Sequence, residues 1–139
     1  MPTPLPKKYR NIVRALRVRR SSAGLGLFTE LPIEKGGFII EYTGSVHTRA
    51  ESDTRGGKYL FETSYNRFID GSSRSNTARY INHSCAPNCE IDIRRGRIFV
   101  FAKKNIPANS ELTYDYGEEY FDEYIKPNGC RCNKCKIYS

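Results

Sequence analysis

The sequence predicts a single domain that is mainly β-structure with a few short helices. Short apolar runs recur along its 139 residues, and each is interrupted by glycine, proline, asparagine or aspartate. This is the pattern of strands joined by turns. The chain has no heptad pattern and no internal repeat, and a domain of this length can bury its own core.

Strands are predicted wherever apolar residues are compact or alternate with polar ones. The runs 91–93 and 98–101 flank Arg94-Arg95-Gly96-Arg97, and this arrangement predicts a β-hairpin. The run 68–69 is followed by Asp70-Gly71, a turn signal. The predicted strands cover 16–19, 25–29, 38–42, 59–61, 68–69, 91–93 and 98–101.

Helix signals are few. Thr48 and Glu51 have the spacing of a capping box, which predicts a short helix that Gly56-Gly57 ends. A second short turn is expected over 75–80. Residues 1–10 contain three prolines and predict a flexible leader.

The net charge of +8 is unevenly distributed. A basic arm occupies the first twenty residues and indicates a nucleic-acid partner, although a solvated charged surface explains the arm about equally well. An acidic block within 111–123 indicates a cationic ligand. The arm contains Lys7, Lys8, Arg10, Arg14, Arg17, Arg19 and Arg20, and the block contains Glu111, Asp115, Glu118, Glu119, Asp122 and Glu123.

The N-terminus has no signal-peptide pattern, and no apolar run approaches the roughly 18 residues that span a bilayer. These features predict an intracellular protein that is not associated with a membrane. Its five cysteines are then expected to be reduced or metal-bound.

Gly24 and Gly26 suit either a close backbone approach to a ligand or an ordinary turn, and the turn is favoured roughly two to one. A dinucleotide fingerprint is excluded, because Thr29 replaces the third glycine.

The adjacent Asn82 and His83 offer donors and acceptors to a nucleoside or amino acid. A hydrolase is disfavoured, since His47 is expected in a loop. A structural Asn-His pair bonded to local backbone is the alternative.

Three cysteines at the C-terminus, Cys130, Cys132 and Cys135, indicate zinc rather than disulfides. A tetrahedral site needs a fourth ligand, either Cys85 or Cys89. Such a site folds the tail back over the Asn82-His83 pair as a lid.

Two segments carry a family resemblance: RYINHSC over 79–85 and ELTYDYG over 111–117. In the second, Tyr114 and Tyr116 have the period of two that places both on one face of a strand. With Gly24-Leu25-Gly26, 41–44 and 68–71, they resemble the SET-domain lysine methyltransferases over about 14–135. The tail is similar to a shortened post-SET motif, as in compact stand-alone viral and bacterial members.

The resemblance implies a SET-domain, β-clip-like fold. It implies a pseudoknot in which the segments around Asn82 and Tyr114 pass through one another, and a zinc-bound post-SET tail. The corresponding boundaries are a leader over 1–10, a SET domain over 11–124 and a zinc-binding tail over 125–139.

The resemblance also implies roles for particular residues. Tyr116 is the essential phenol, and Tyr42 and Tyr114 line the lysine channel. Zinc is bound by Cys85, Cys130, Cys132 and Cys135, which leaves Cys89 as a bystander. S-adenosylmethionine is held by Ala23, Gly24, Leu25, Gly26, Tyr59, Asn82 and His83.

The implied activity is protein-lysine N-methylation of a basic protein, such as a histone or chromosomal protein, by S-adenosylmethionine. Tyr at position 114 implies mainly mono- and dimethylation. The substrate is expected to add a strand near the acidic block, and the enzyme to act as a monomer or homodimer. Its location is the nucleus in a eukaryote, and the cytoplasm or a host cell for a bacterial or viral protein. The alternative is a zinc-stabilised basic module that binds nucleic acid or peptide without catalysis.

Overall fold

A computed structural model describes residues 15–22 and 24–117. The predicted leader, part of the basic arm and the cysteine tail lie outside these residues. The described strands are β1 (Leu16–Ser21), β2 (Gly24–Thr29), β3 (Phe38–Tyr42), β4 (Ser45–His47), β5 (Leu60–Ser64), β6 (Arg67–Asp70), β7 (Asn82–His83), β8 (Cys89–Arg94), β9 (Arg97–Ala102), β10 (Ser110–Glu111) and β11 (Thr113–Tyr114).

The strands form small sheets rather than one continuous sheet. Three sheets are antiparallel and have the strand orders β1-β2-β10, β3-β9-β8 and β4-β6-β5. The fourth is the parallel pair of β7 and β11. The mainly β prediction is therefore confirmed.

The local predictions hold closely. Every predicted strand is present, and β8 and β9 pair as the predicted hairpin, from Cys89↔Ala102 to Arg94↔Arg97. Its turn uses Gly96 in the left-handed region (φ +76°). Because antiparallel strands need only such a short connection, the local sequence is sufficient to specify this unit.

The helix α1 (Arg49–Arg55) begins at the predicted capping box. The hydroxyl of Thr48 accepts from the N–H of Glu51 at 3.2 Å, and the Glu51 carboxylate accepts from the N–H of Thr48 at 3.0 Å. Gly56 ends the helix with a φ of +62°. A 3-10 helix follows at Thr77–Tyr80, where a short turn was predicted. The prediction that His47 lies in a loop was wrong. His47 lies in β4 and pairs with Phe68 of β6.

The core lies where the sheets meet and is formed largely by aliphatic side chains from β2, β3 and β9. Leu27, Ile39, Ile98 and Val100 are fully buried. Burying one such side chain stabilises the fold by about 1.5–3 kcal/mol. Because β3 and β9 have buried residues along most of their length, they form a fixed support for Tyr42 at the end of β3.

The parallel pair brings together the two segments that carry the resemblance. Thr113 lies opposite Asn82 and Tyr114 opposite His83, and the N–H of Ser84 donates to the carbonyl of Tyr114 at 3.1 Å. Asn88 ties the same segments, since its Nδ2 donates to the Glu111 carbonyl at 2.8 Å. Its Oδ1 accepts from the Thr113 N–H at 2.9 Å. The passage of one segment through the other stays a prediction.

Among the described residues, no helix has the length and apolar character needed to cross a membrane.

Candidate active site

The Asn82 amide is held by three acceptors. Its Nδ2 lies 2.8 Å from the Leu25 carbonyl, 2.9 Å from the Glu111 carboxylate and 3.1 Å from the Ser21 hydroxyl. A carbonyl and a carboxylate only accept, so the NH₂ group must face them. The amide orientation is therefore fixed, with Nδ2 toward the Leu25 carbonyl and the Glu111 carboxylate.

Gly24 and Gly26 are required for different structural reasons. Gly24 lies in the left-handed region (φ +102°) where β2 begins, in line with the predicted turn. Gly26 instead leaves room for Glu111, because a Cβ there would overlap the Glu111 carboxylate. Leu25, between them, is 53% exposed and presents an apolar side chain beside Asn82. Ala23 lies outside the described residues.

His83 is neutral, with its proton on Nε2. The backbone N–H of Tyr116 donates to Nδ1 at 3.1 Å, which requires an unprotonated Nδ1. Burial lowers the pKa of His83, and the charge of Asp115 opposes that shift only partly. The Asp115 Oδ1 is 3.8 Å from Nδ1 and accepts from the Gly117 N–H at 2.9 Å. We therefore take the His83–Asp115 contact as a weak electrostatic one.

Four aromatic rings form a continuous wall. The centroid distances are 5.4 Å for Tyr42–Phe61, 6.5 Å for Phe61–Tyr114 and 4.7 Å for Tyr114–Tyr116. The ring of Tyr116 also lies 5.4 Å from that of His83. Tyr116 thus joins the aromatic wall to the Asn82-His83 pair.

Two tyrosine hydroxyls on this wall donate to backbone carbonyls. The Tyr116 hydroxyl donates to Ile81, and the Tyr42 hydroxyl donates to Tyr59 at 2.7 Å. Gly71 packs against the Tyr42 ring so closely that any Cβ at this position would overlap it. These contacts fix both rings without using a charged group.

Tyr59 lies between two cations. The Arg79 guanidinium is 4.4 Å from the ring centroid, and the Lys58 ammonium is 5.3 Å from it. Burial acts to raise the pKa of Tyr59, but a hydrogen bond with Arg79 and the charge of Lys58 outweigh it and lower the pKa. One end of the site is therefore electropositive.

A cavity of about 640 Å³ lies between α1, β5 and the aromatic wall. It brings together four predicted site residues: Tyr42, Tyr59, Tyr114 and Tyr116. Gly24, Leu25, Gly26, Asn82 and His83 do not line it. They form a second cluster around β2 and β7, which meets the cavity at Tyr116.

Sequence reasoning missed three residues of the site. Phe61 is part of the aromatic wall, and its signal was its position two residues after Tyr59 in a strand-like run. Arg79 stacks on Tyr59, and its signal was its place at the start of the RYINHSC segment. Glu111 was assigned to the acidic block, but its carboxylate is turned toward Asn82 and Gly26.

The two candidates for the fourth zinc ligand differ in environment. Cys85 is half-buried, with Sγ 3.5 Å from the Nε2 of His83. Cys89 is 1% exposed within the core, and burial raises the pKa of its thiol to about 12. The described part of the chain contains no cluster of three or more metal-binding side chains. Cys130, Cys132 and Cys135 lie outside it.

Comparison with known proteins agrees with this geometry. The model of the SET domain family matches residues 24–117. Histone-lysine N-methyltransferase trithorax from Drosophila virilis is 35% identical, over 97% of this chain and 4% of the relative. Histone-lysine N-methyltransferase trr from Drosophila melanogaster is 37% identical, over 95% of this chain and 6% of the relative.

Two further relatives extend the similarity beyond the first two. Histone-lysine N-methyltransferase ash1 from Drosophila melanogaster is 37% identical over 84% of this chain. Histone-lysine N-methyltransferase 2D from Homo sapiens is 32% identical over 95% of it. The chain spans only 3–6% of the length of these four relatives. The matched segment contains both the Asn82-His83 pair and the aromatic wall, and the chain belongs to the SET-domain family.

Proposed function

We propose that this chain is a protein-lysine N-methyltransferase that takes its methyl group from S-adenosylmethionine. The observation that carries the proposal is the junction at Tyr116, where a cavity lined by Tyr42, Phe61 and Tyr114 meets the Asn82-His83 cluster. The relatives described above are named as histone-lysine methyltransferases, which supports the same activity.

The cofactor cluster fits a nucleoside with an amino-acid tail. Asn82 offers a fixed amide oxygen, neutral His83 offers an N–H, and exposed Leu25 offers an apolar surface. We assign cofactor binding to these residues with Ala23, Gly24, Gly26 and Tyr59. When bound, S-adenosylmethionine supplies an electrophilic methyl group on a positively charged sulfur.

The residues of the cavity control the substrate amine. An unperturbed lysine has a pKa of about 10.4, but only the neutral amine attacks. A dry aromatic channel lowers that pKa by desolvation, and a neighbouring positive charge lowers it further. The faces of Tyr42 and Tyr114 attract the incoming ammonium before it loses its proton. Methyl transfer is then mainly a matter of alignment, to which Tyr116 and the Ile81 carbonyl contribute.

The proposed product number depends on Tyr114. Its ring lies 4.7 Å from that of Tyr116, and both rings line the cavity. We propose mono- and dimethylation as the main products. Mass spectrometry of a methylated peptide tests this, with Tyr114→Phe expected to increase the trimethylated fraction. Dominant trimethylation by the unchanged chain contradicts it.

We further propose that one structural zinc ion is bound by Cys85, Cys130, Cys132 and Cys135. The half-buried position of Cys85 next to the Asn82-His83 cluster supports Cys85 over the deeply buried Cys89. A tail anchored there closes over the cofactor and excludes water from the site.

The proposed substrate is a basic protein, with a histone as the first candidate. It adds a strand next to the acidic block, and the basic arm contacts nucleic acid. The relatives come from eukaryotes, which favours the nucleus over a bacterial or viral setting. The proposed assembly is a monomer or homodimer.

The test combines cofactor binding with turnover. S-adenosylmethionine is expected to raise the Tm of the full chain, and labelled cofactor is expected to transfer its methyl group to lysine in purified histones or a lysate. A basic nucleic-acid-binding module without catalysis would show no shift with the cofactor and no labelled protein. That result overturns the proposal.

A further inference from the structure

A serine, a histidine and a glutamate lie together where β4 leads into α1. Ser45 and His47 are two positions apart in β4, so their side chains lie on the same face of the strand. The Oγ of Ser45 is 2.8 Å from Nε2 of His47. Glu51 lies in the first turn of α1, and its Oε2 is 3.6 Å from Nδ1 of the same imidazole. None of the three lines the cavity, so this cluster is separate from the candidate active site.

The three side chains differ in exposure. The His47 side chain is 11% exposed, whereas Ser45 is exposed at the surface. A molecule in solution therefore reaches the hydroxyl while the base behind it is shielded. The sequence disfavoured nucleophilic chemistry because it predicted His47 in a loop. Its position in β4 removes that objection, since pairing with Phe68 fixes the backbone that carries the imidazole.

The neighbours of His47 favour one tautomer of its ring. Nδ1 is buried and has no hydrogen-bond partner in the described part of the chain, and the nearby Glu51 carboxylate can only accept. A proton on Nδ1 is thus favoured by the negative charge facing it, at a distance longer than a hydrogen bond. Nε2 is then unprotonated and accepts from the Ser45 hydroxyl. This is the orientation that a general base needs in order to take a proton from serine.

Glu51 is held in its ionised form by the start of the helix. Its carboxylate accepts from the Thr48 N–H at 3.0 Å. The hydrogen bond from this backbone group, followed by the one with the Thr48 hydroxyl, lowers the pKa of Glu51. The capping box therefore keeps a negative charge beside the imidazole, where it stabilises the protonated ring.

A second carboxylate near the cluster is balanced by a cation. Asp70 lies opposite Ser45 in β6, and Arg55 at the end of α1 pairs with it at 2.9 Å. A carboxylate without such a partner would oppose the negative charge that develops on the oxygen atoms when serine attacks a carbonyl. The ion pair with Arg55 reduces this opposition.

We propose that Ser45 is an activated nucleophile that accepts an acyl group from an activated ester, such as an aryl ester or a thioester. The Ser45 oxygen forms a bond to the carbonyl carbon while its proton passes to Nε2 of His47. The bond from that carbon to the leaving group then breaks, and His47 donates the proton to the leaving oxygen or sulfur. Nδ1 keeps its proton throughout, and Glu51 stabilises the transient imidazolium. The step does not depend on methyl transfer.

The test uses p-nitrophenyl acetate and the full chain. Release of p-nitrophenolate is followed with time, and the acetylated residues are mapped by peptide mass spectrometry, which separates serine from lysine acetylation. Ser64 is the internal reference, because it is an exposed serine of β5 in the same sheet. Ser45 is expected to be acetylated roughly 10²-fold faster than Ser64, the lower end of what a positioned general base contributes.

Three variants separate the roles within the cluster. His47→Gln is expected to reduce the acetylation rate of Ser45 to that of Ser64. Glu51→Gln is expected to remove part of the advantage, and it leaves α1 intact because glutamine also completes a capping box. Ser64→Ala is the matched control and is expected to leave acetylation of Ser45 unchanged.

Two results overturn the proposal. One is acetylation of Ser45 at the rate of Ser64, or of lysines alone, in the unchanged chain. The other is a rate advantage of Ser45 that survives His47→Gln in a variant with an unchanged circular dichroism spectrum. If His47→Gln does not fold, Glu51→Gln decides instead, and full retention of the advantage in that variant overturns the proposed cluster.

Discussion

The backbone N–H of Tyr116 donates to Nδ1 of His83 at 3.1 Å, and the two rings meet edge to face at 5.4 Å. This hydrogen bond therefore connects the Asn82-His83 cluster to the aromatic wall. It requires an unprotonated Nδ1, so the geometry of Tyr116 depends on the protonation state of His83.

Acid is expected to destabilise the folded chain through His83. Burial holds its folded pKa below the usual value of about 6.5, so between those two values the unfolded chain binds the extra proton. Above about pH 6.5, His83 makes its full contribution to the free energy of unfolding. This contribution is lost as the pH falls toward the folded pKa. Tm measured from pH 7.5 to pH 5, as approximate limits, is therefore expected to fall.

A variant that cannot titrate at position 83 provides the control for this effect. His83→Gln keeps an acceptor for the Tyr116 N–H but does not titrate, so its Tm should depend less on pH. A steeper pH dependence in His83→Gln would contradict the assignment.

Tyr116→Phe is expected to reduce methyl transfer far more than it reduces stability. The substitution removes the hydroxyl that donates to the Ile81 carbonyl and leaves the ring in contact with Tyr114. Loss of one such positioning group commonly lowers kcat by about 10²–10³, whereas loss of one hydrogen bond costs about 1 kcal/mol of stability. Single-turnover kinetics and urea unfolding measure the two effects, and Tyr65→Phe at an exposed position is the control. A kcat within twofold of the original, as an approximate threshold, speaks against a role for Tyr116 in alignment.

Gly26→Ala is expected to weaken cofactor binding rather than unfold the chain. The new methyl group displaces the Glu111 carboxylate, which then no longer accepts from Asn82 at 2.9 Å. The freed amide loses part of its fixed orientation, and the Kd for S-adenosylmethionine should rise roughly tenfold. Glu111→Ala should have a similar effect, and the double variant should be no weaker than either single variant, because all act through one contact. Isothermal titration calorimetry measures the Kd of each variant. If the double variant loses the sum of the binding free energies lost by the two single variants, Gly26 and Glu111 act independently.

Zinc content should distinguish the cysteines. Cys85→Ser is expected to reduce the zinc bound per chain from about one to near zero, because a structural site requires four ligands. Cys89→Ser is expected to keep the metal and lose about 1–3 kcal/mol of stability, because a hydroxyl replaces a thiol that is 1% exposed. Elemental analysis by mass spectrometry, together with chemical unfolding, measures both. Loss of zinc in Cys89→Ser alone would reverse the assignment.

The local structure followed from the sequence because its signals are local. The Thr48–Glu51 capping box, the Gly96 turn and the alternating strands depend on neighbours within a few residues. The sequence also predicted that Tyr42, Tyr114 and Tyr116 lie together, and they share a wall of one cavity. Period-two spacing placed the last two on one face, and the resemblance supplied the first.

The long-range contacts could not be predicted in this way. Nothing local to Glu111 indicates that its carboxylate turns toward Asn82, and the acidic block suggested that this carboxylate attracts a cationic ligand instead. Asn88 was likewise missed, although its side chain joins β11 to the segment before β8. The charge of Arg49 is balanced by Glu62 from another element. Each of these contacts depends on which strands become neighbours, and that is a property of the topology.

The parallel pair of β7 and β11 has a consequence for how the chain folds. Each strand has only two residues, and about thirty residues of chain lie between them. The hydrogen bonds between the strands offset the entropy lost on closing this loop only once both segments are in place. The reactive groups are therefore expected to be among the last parts of the molecule to become ordered. Amide hydrogen exchange at Ser84 and Tyr116 should then report on subglobal opening before the β3–β9 core opens. Activity would be lost on heating before most of the secondary structure.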